Sequence, residues 1–426
     1  MKKRVMPWAK FSLCLVLLLF FTPAAQPRLT PPWPQQHIPV FEQPGRVMSG
    51  SPEQMIVAAI DAVRQGRMAD ARATIDALLV KEPNYNLAHL VSADLYAMRA
   101  APLASLGGAA VDAPRDRLDD LKREAQMRLL RHVAPPPSDR LPAQLLVLSP
   151  AQTHAVVVDT SAARAYLFKN VDGVPTYVTD YYVTIGKLGT DKNKEGDQRT
   201  PLGVYFVTSH MSRPQLDKIY GDAASLYGVG AWPISYPNEL DRREGRTGHG
   251  IWLHGVPYDT YSRAPLASNG CVALTNEDMT ALARQLSPGS TPVVNVTRVE
   301  WLDRASWDAR RASALARLES WRTAWESVDT ERYLSFYGDR FTDQDGKTLA
   351  SWQKQKLAVN AGRSWSKISL GQVSIFSTSG ENATWVATFD QDYRSDKVNN
   401  QMRKRLYWQE EDGAWKIQWE GRARAG

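Results

Sequence analysis

Residues 250–279 read GIWLHGVPYDTYSRAPLASNGCVALTNEDM, and this stretch decides how the middle of the chain folds. It holds Cys271, one of two cysteines in 426 residues; the other is Cys14. A free cysteine is most often a small buried hydrophobe. Its surroundings here point elsewhere. GIWLHG reads as a short strand ending at His254. Cys271 follows 17 positions later, across a loop, and VALTNEDM reads as the approach to a helix. A strand end and a helix start can then converge. Asn276 or Thr275 caps that helix and Asp278 sits in its first turn; capping is the simplest account of Asn276 and Asp278.

Cysteine chemistry needs a thiolate, a base that makes it and donors for an oxyanion. A thiol of ordinary pKa, about 8.5, is only partly ionised at neutral pH. His254 is the candidate base. His37, His89 and His132 lie in other regions, and His154 and His210 have no supporting motif. His249 stands five residues before His254, which strand alternation puts on the opposite face.

The amino terminus bears on the fate of the thiol. MKKRVMPWAK carries Lys2, Lys3, Arg4 and Lys10, then an uncharged run from Phe11 to Phe21. This is the layout of an export signal over residues 1–25. The run is short for a spanning helix, which needs about 20 residues. Thr22 and Pro23 make an imperfect cleavage site, so an uncleaved membrane anchor is the second reading. Cleavage removes Cys14 and leaves Cys271 alone. An unpaired thiol in an oxidising compartment is a liability, which favours a nucleophile over a passive core residue.

Length implies two or three domains. A composition of 43% hydrophobic and 23% charged residues is that of a globular protein. A formal charge of +7 suits an acidic polymer or a membrane surface. The basic residues are dispersed, with no zinc-finger spacing or P-loop, so nucleic acid is not the expected partner.

The chain divides into a proline-rich linker (26–50), a helical region (51–135), a mostly β domain (150–298) and an α+β domain (305–422). The helical region opens at Ser51-Pro52 with a cap and a first-turn proline. Ala71, Leu79, Pro83 and Ala88 resemble one tetratricopeptide-like helix pair. Such a pair cannot bury its face alone. Flanking helices, the β domain or a second copy in a homodimer would cover it. APPPSDRLP marks the boundary before the strand-rich segments HAVVVDTSAARAYLF, TYVTDYYVTIG, GVYFVTS and VVNV. After Val299 an amphipathic helix carries Trp307, Leu315, Leu318, Trp321 and Trp325. YLSFYGDRF continues at helical spacing, WQKQKLAVN is a further helix, and long aromatic-rich strands follow. Helices followed by a curved antiparallel sheet form a cone, and residues 310–420 resemble the nuclear transport factor 2-like (SnoaL-like) family.

GKLGTDKNKEGDQRTPLGVYFV, GIWLHG and SNGCVALTNEDM, in that order, resemble the L,D-transpeptidase (YkuD-type) catalytic domain over roughly residues 152–297. The signature is His-Gly, about fifteen residues, Ser-x-Gly-Cys and Asn-x-Asp. The resemblance implies Cys271 as nucleophile and His254 as general base, oriented by the Gly255 carbonyl. It implies an oxyanion hole from the N–H groups of Gly270 and Cys271, with Ser268, Asn269 and Arg199 around the substrate. Two positions depart from the common pattern. Asn269 stands where a histidine is usual before Gly-Cys, and Ala273 where an arginine is usual two residues after it. Arg199, Lys187, Lys192 and Arg263 are the cations that could replace that arginine. Arg199-Thr200-Pro201-Leu202-Gly203 is either a turn into a strand or a wall of the cleft, and Pro201 and Gly203 read first as turn residues.

The resemblance implies an exported enzyme that cleaves the meso-diaminopimelate–D-Ala bond of peptidoglycan tetrapeptide stems through a Cys271 thioester and passes the acyl group to an amine. With water as acceptor it is an L,D-carboxypeptidase, and the three-part layout resembles enzymes of that kind that set cell shape. No metal or organic cofactor is implied. The C-terminal domain would bind a protein or glycan partner or support the catalytic domain. The reading of another class is an inactive wall- or partner-binding module. A papain-like hydrolase is disfavoured, because there the cysteine precedes the histidine.

Overall fold

Why HAVVVD should be apolar at every interior position is explained by what covers it. In the computed structural model, which describes residues 45–423 except 379, 381 and 382, His154–Asp159 lies near the middle of a five-stranded sheet. The order is Val174–Tyr182, Arg164–Val171, His154–Asp159, Pro292–Val296, Gly203–Phe206. Val156 and Val158 point into the catalytic core with Leu167, Tyr205, Leu253, Val272 and Val293. Ala155 and Val157 point the other way, onto Phe376, Val386, Tyr407 and Trp419 of the C-terminal domain. Alternation puts neighbours on opposite faces, and a sheet covered on both faces reads as a continuous apolar run. The proposed export signal, and the linker as far as residue 44, lie outside the described residues. Among the described residues no helix is long and apolar enough to cross a membrane.

The second layer of the catalytic domain is a small sheet ordered Val272–Ala273, Trp252–His254, Gly230–Pro233, Met211–Ser212. A two-stranded pair, Ile185–Gly186 with Leu266–Ser268, stands beside it. The helix after the cysteine runs from Asn276 to Ala283 and is capped by Thr275, whose hydroxyl accepts from the Asp278 N–H at 3.1 Å. It starts only after the Val272–Ala273 strand, so its N-terminus is not at the thiol.

The helical region comprises Pro52–Arg64, Met68–Lys81, Asn86–Ala97 and Arg115–Val133. Ser51 and Gln54 form a reciprocal capping box, the Gln54 N–H on Ser51 Oγ at 3.2 Å and the Ser51 N–H on Gln54 Oε1 at 2.9 Å. Ile56, Ile60, Ile75, Leu78 and Val91 bury one face. The fourth helix and Tyr261 of the catalytic domain cover it, with Tyr261 4.4 Å from Tyr85. A buried ionic cluster joins the two regions. Arg128 donates to Glu124 at 3.0 Å and pairs with Glu53 at 3.2 Å; Arg164 also pairs with Glu53, and Asp180 binds Arg164 at 3.3 Å and Arg131 at 2.6 Å. Burial alone would raise the Glu53 carboxyl, but the guanidiniums of Arg128 and Arg164 outweigh it and hold it at about 2.

The C-terminal domain wraps Arg304–Glu326, Thr330–Leu334 and Leu349–Ala361 against a six-stranded sheet. One expectation is corrected here. YLSFYGDRF is not a continuing helix: the helix stops at Leu334, and Tyr337–Asp343 is a strand parallel to Ala414–Arg422. Tyr337 and Phe341 are both buried, and a four-residue spacing keeps one face in a strand as well as in a helix. Gly338 supports the strand, because a Cβ there would stand 2.2 Å from Gln418 Nε2.

The sixth strand of that sheet is Leu145–Val147, paired with Ser366–Ser377 and upstream of position 150. Leu141–Pro142 pairs with Trp301–Leu302. The catalytic and C-terminal regions are therefore stitched in both chain directions. Trp307, fully buried, donates its indole N–H to the Leu145 carbonyl at 3.2 Å. Arg405 clamps Glu239 at 2.9 and 3.0 Å, and Tyr407 adds a hydroxyl at 2.7 Å. Trp307→Ala should cost about 3–5 kcal/mol through the cavity and the orphaned carbonyl, read as a lowered urea midpoint monitored at both domains together.

Candidate active site

Two short parallel strands assemble the site. Trp252–His254 pairs with Val272–Ala273, with Leu253 opposite Val272 and His254 opposite Ala273. Cys271 immediately precedes the second strand, so the parallel register sets it alongside Trp252, two residues before His254. Leu253 and Val272 are both fully buried and anchor that register. His254 is buried, at 4% exposure, while Cys271 is half-buried.

The His254 ring is held on two sides. Nδ1 lies 2.5 Å from the Gly255 carbonyl. A carbonyl only accepts, so Nδ1 carries the proton and Nε2 is left with its lone pair. The edge of Tyr227 meets the ring at 5.2 Å and 81°. The thiol of Cys271 donates to the Gly250 carbonyl at 3.3 Å. Burial pushes the thiol up to about 11; the Trp252 N–H and then the charges of Arg263 and Lys192 work against the rise. Burial pushes the imidazole down to about 4 against the pull of the Gly255 carbonyl, and the charge of Arg263 lowers it further. Both groups are neutral at rest near pH 7.

The turn before the cysteine is built from its own residues. The Ser268 hydroxyl donates to the Cys271 carbonyl at 2.7 Å and accepts from the Gly270 N–H at 3.1 Å. Gly270 N–H, expected to face an oxyanion, is thus directed at Ser268 Oγ. Gly270 has φ +119°, and a Cβ there would come 2.7 Å from the Arg199 carbonyl, so glycine is required. Thr200 ties the same turn to the neighbouring strand: its hydroxyl donates to the Gly270 carbonyl at 2.9 Å and accepts from the Gly186 N–H at 2.9 Å. Asn269 is exposed and meets Gln198 at 3.4 Å.

The other singled-out residues divide. Arg199 donates to the Thr190 carbonyl at 2.8 Å. Lys192 is buried in an ion pair with Asp197 at 2.8 Å. Lys187 is exposed. Arg263 donates to the Ala267 carbonyl. Pro201 accepts from Asn295 at 3.0 Å, inside the sheet junction. His249 lies in an exposed segment before the strand, so exposure rather than strand alternation sets it apart. His210 stacks on Trp232.

Asn276 is not the cap but a strut. Its Oδ1 accepts from the N–H groups of Val229 and Val256 at 3.2 Å each, and its Nδ2 donates to the Val256 carbonyl at 2.8 Å. A Cβ at Gly255 would come 2.2 Å from that Oδ1, and one at Gly228, at φ +53°, would come within 2.0 Å. Asn276 therefore fixes the backbone that orients His254 and carries Tyr227. Asn-x-Asp in the sequence marks the position, but only the fold shows what the amide holds.

A separate cavity of about 440 Å³ opens in the C-terminal sheet, with Trp352, Lys356, Arg363 and Tyr393 in its wall. Burial lowers Lys356 to about 8, and its ammonium stands 4.0 Å from the Trp352 ring centre.

Residues 153–294 match the L,D-transpeptidase catalytic domain, and residues 313–421 match the Cds6 C-terminal NTF2-like domain. The structure of Bdellovibrio bacteriovorus Bd1075 is 31% identical, with a TM-score of 0.58, covering 68% of this chain and 99% of that one. The helical cell shape determining protein Pgp2 of Campylobacter jejuni is 27% identical, with a TM-score of 0.54, over 65% of this chain and 95% of that one. A point mutant of that Campylobacter jejuni protein gives 25%, 0.55, 72% and 100%. No curated protein matches the sequence. The chain belongs to the family of L,D-transpeptidase-domain proteins that carry a C-terminal NTF2-like domain.

Proposed function

We propose that the protein is an exported L,D-carboxypeptidase that trims peptidoglycan tetrapeptide stems to tripeptides. The observation that supports the chemistry is the parallel register that puts His254 and Cys271 on adjacent strands, two positions apart, with Nδ1 held on Gly255 and Nε2 left with its lone pair. Water as acceptor is favoured over an amine by the three-part layout shared with a protein that determines helical cell shape.

The reaction begins from a neutral thiol and a neutral imidazole. As Sγ attacks the L-centre carbonyl of meso-diaminopimelate, the thiol proton passes to His254 Nε2. Negative charge collects on the carbonyl oxygen, where the Cys271 N–H serves as a donor. The intermediate collapses, the C–N bond breaks, and the imidazolium protonates the departing D-Ala amine. A thioester remains on Cys271. Water then attacks it, giving one proton to His254. The C–S bond breaks, and His254 returns the proton to sulfur. The Gly255 carbonyl stabilises the imidazolium in both half-reactions.

Tetrapeptide muropeptides incubated with protein lacking residues 1–25 should yield tripeptides by mass spectrometry, and Cys271→Ala should abolish them. Crosslinked dimers in place of tripeptides would turn the reading to transpeptidation; no Cys271-dependent product would favour a binding module. The resting protonation state has its own test. Iodoacetamide labelling of Cys271 should climb with pH toward a midpoint of about 11, and a neutral-pH plateau would instead reveal a thiolate–imidazolium pair.

Stability follows the histidine. The folded value, about 4, lies below the ordinary 6.5, so between these the unfolded chain binds more protons. The contribution of neutral His254 is complete above pH 6.5 and is lost as pH falls toward 4. From pH 7 to pH 5 the protein should lose about 2 kcal/mol more than His254→Asn does, measured by urea unfolding.

A further inference from the structure

The substrate proposed above is anionic, and Ala273, two residues after the cysteine, carries no charge to meet it. Two positive charges act on the Cys271 thiol, those of Arg263 and Lys192. Lys192 is already spent: its ammonium pairs with Asp197 and also donates to the Lys194 carbonyl at 3.0 Å. Arg199 and Lys187 do not contribute. Arg263, whose charge also acts on the thiol, differs from Lys192 in its partner. Its guanidinium meets the Ala267 carbonyl on the strand leading into the cysteine turn, and among the described residues no carboxylate pairs with it. It is half-buried, and its charge reaches His254 as well as Cys271.

A partly desolvated cation without an anion is costly in a resting protein. Burial lowers the Arg263 pKa, and an arriving carboxylate would offset that penalty with a charge-assisted, bidentate hydrogen bond. The residue is also rigidly mounted. The Arg263 carbonyl accepts from Tyr182 Oη at 3.0 Å and Thr184 Oγ1 at 3.1 Å. Next to it, Ser262 donates to the buried Glu124 at 2.6 Å, and Asn84 grips the Tyr258 carbonyl at 3.2 Å. Glu124 and Asn84 belong to the helical region. That region thus holds the loop between His254 and Cys271, while the guanidinium of Arg263, held on the Ala267 carbonyl, keeps further N–H donors for a ligand.

We propose that Arg263 is the specificity-determining cation of this site and binds the terminal carboxylate of the leaving D-amino acid. The proposal rests on the peptidase reading above. A tetrapeptide ending in a free carboxylate places that group two bonds beyond the scissile nitrogen, on the leaving side of the thiol. The helical region serves as the positioning element of this loop through Glu124 and Asn84.

The test compares a tetrapeptide free acid with its C-terminal amide on protein lacking residues 1–25. The wild type should prefer the acid by about tenfold or more in kcat/KM. In Arg263→Gln the acid-to-amide ratio should fall toward one, mainly through the KM of the acid, and Arg263→Lys should recover part of it. Three results would overturn the assignment: a wild type that does not distinguish acid from amide, an unchanged ratio in Arg263→Gln, or an equal loss on both substrates. The first needs no variant, so it decides even if Arg263→Gln fails to fold. A wild type that releases no D-Ala from the acid or its amide from the other substrate, in a Cys271-dependent manner, would remove the peptidase reading itself.

Discussion

The register between Trp252–His254 and Val272–Ala273 is the constraint on which the site depends. Slipping it by one residue would reverse every side chain on the shifted strand and turn His254 and Cys271 to opposite faces. Much of the surrounding structure secures it. Leu253 and Val272 lock into the core below. Asn276 stitches three backbone groups behind the histidine. Thr200 and Ser268 shape the turn in front of the cysteine. The loop spanning the two strands is gripped from outside by the helical region, which is otherwise remote in sequence. The buried cluster of Glu53, Glu124, Arg128, Arg131, Arg164 and Asp180 makes that grip rigid, because removing one member would strand its partners without water.

What could be read in the sequence was local chemistry. A lone cysteine after a Ser-x-Gly turn, with His-Gly upstream, carries its own warrant, and the fold sets the two motifs on adjacent parallel strands. The four helices and the strand His154–Asp159 were legible from periodicity and composition, but not that both faces of that strand are covered. Long-range choices were not. Leu145–Val147 has too few residues to announce which sheet it joins, and its partner lies more than two hundred positions away. Tyr337 and Phe341 satisfy both helical and strand spacing, so only the pairing with Ala414–Arg422 decides. Asn276 looked like a cap because the residue type is right; Thr275 takes that role, and the amide is committed to backbone that the sequence places elsewhere. The Gly270 N–H is another such case, since its partner is a hydroxyl two residues back that competes locally with any ligand.

Holding the thiol protonated has a chemical benefit wherever oxidants are present. Oxidants attack the thiolate, so a cysteine whose ionisation is suppressed resists the first step toward sulfenic acid. The cost is that no preformed nucleophile waits for substrate. In the proposed mechanism the imidazole acts during attack, which makes its orientation more important than its affinity for protons. The Gly255 carbonyl meets that requirement without placing a second ionised group in the pocket.

The strand Leu145–Val147 precedes the catalytic domain in the chain yet completes the sheet of the domain that follows it. The two domains are therefore interlaced rather than strung like beads. A premature stop after residue 300 would not release a smaller working enzyme. It would bare Ala155, Val157, Phe206 and Val294 on one face of the central sheet and leave an unpaired strand edge beside them, a combination that invites aggregation. Inheritance of the tail and of the active site is thus coupled by packing, and neither could have been gained or shed in evolution without rebuilding the surface between them.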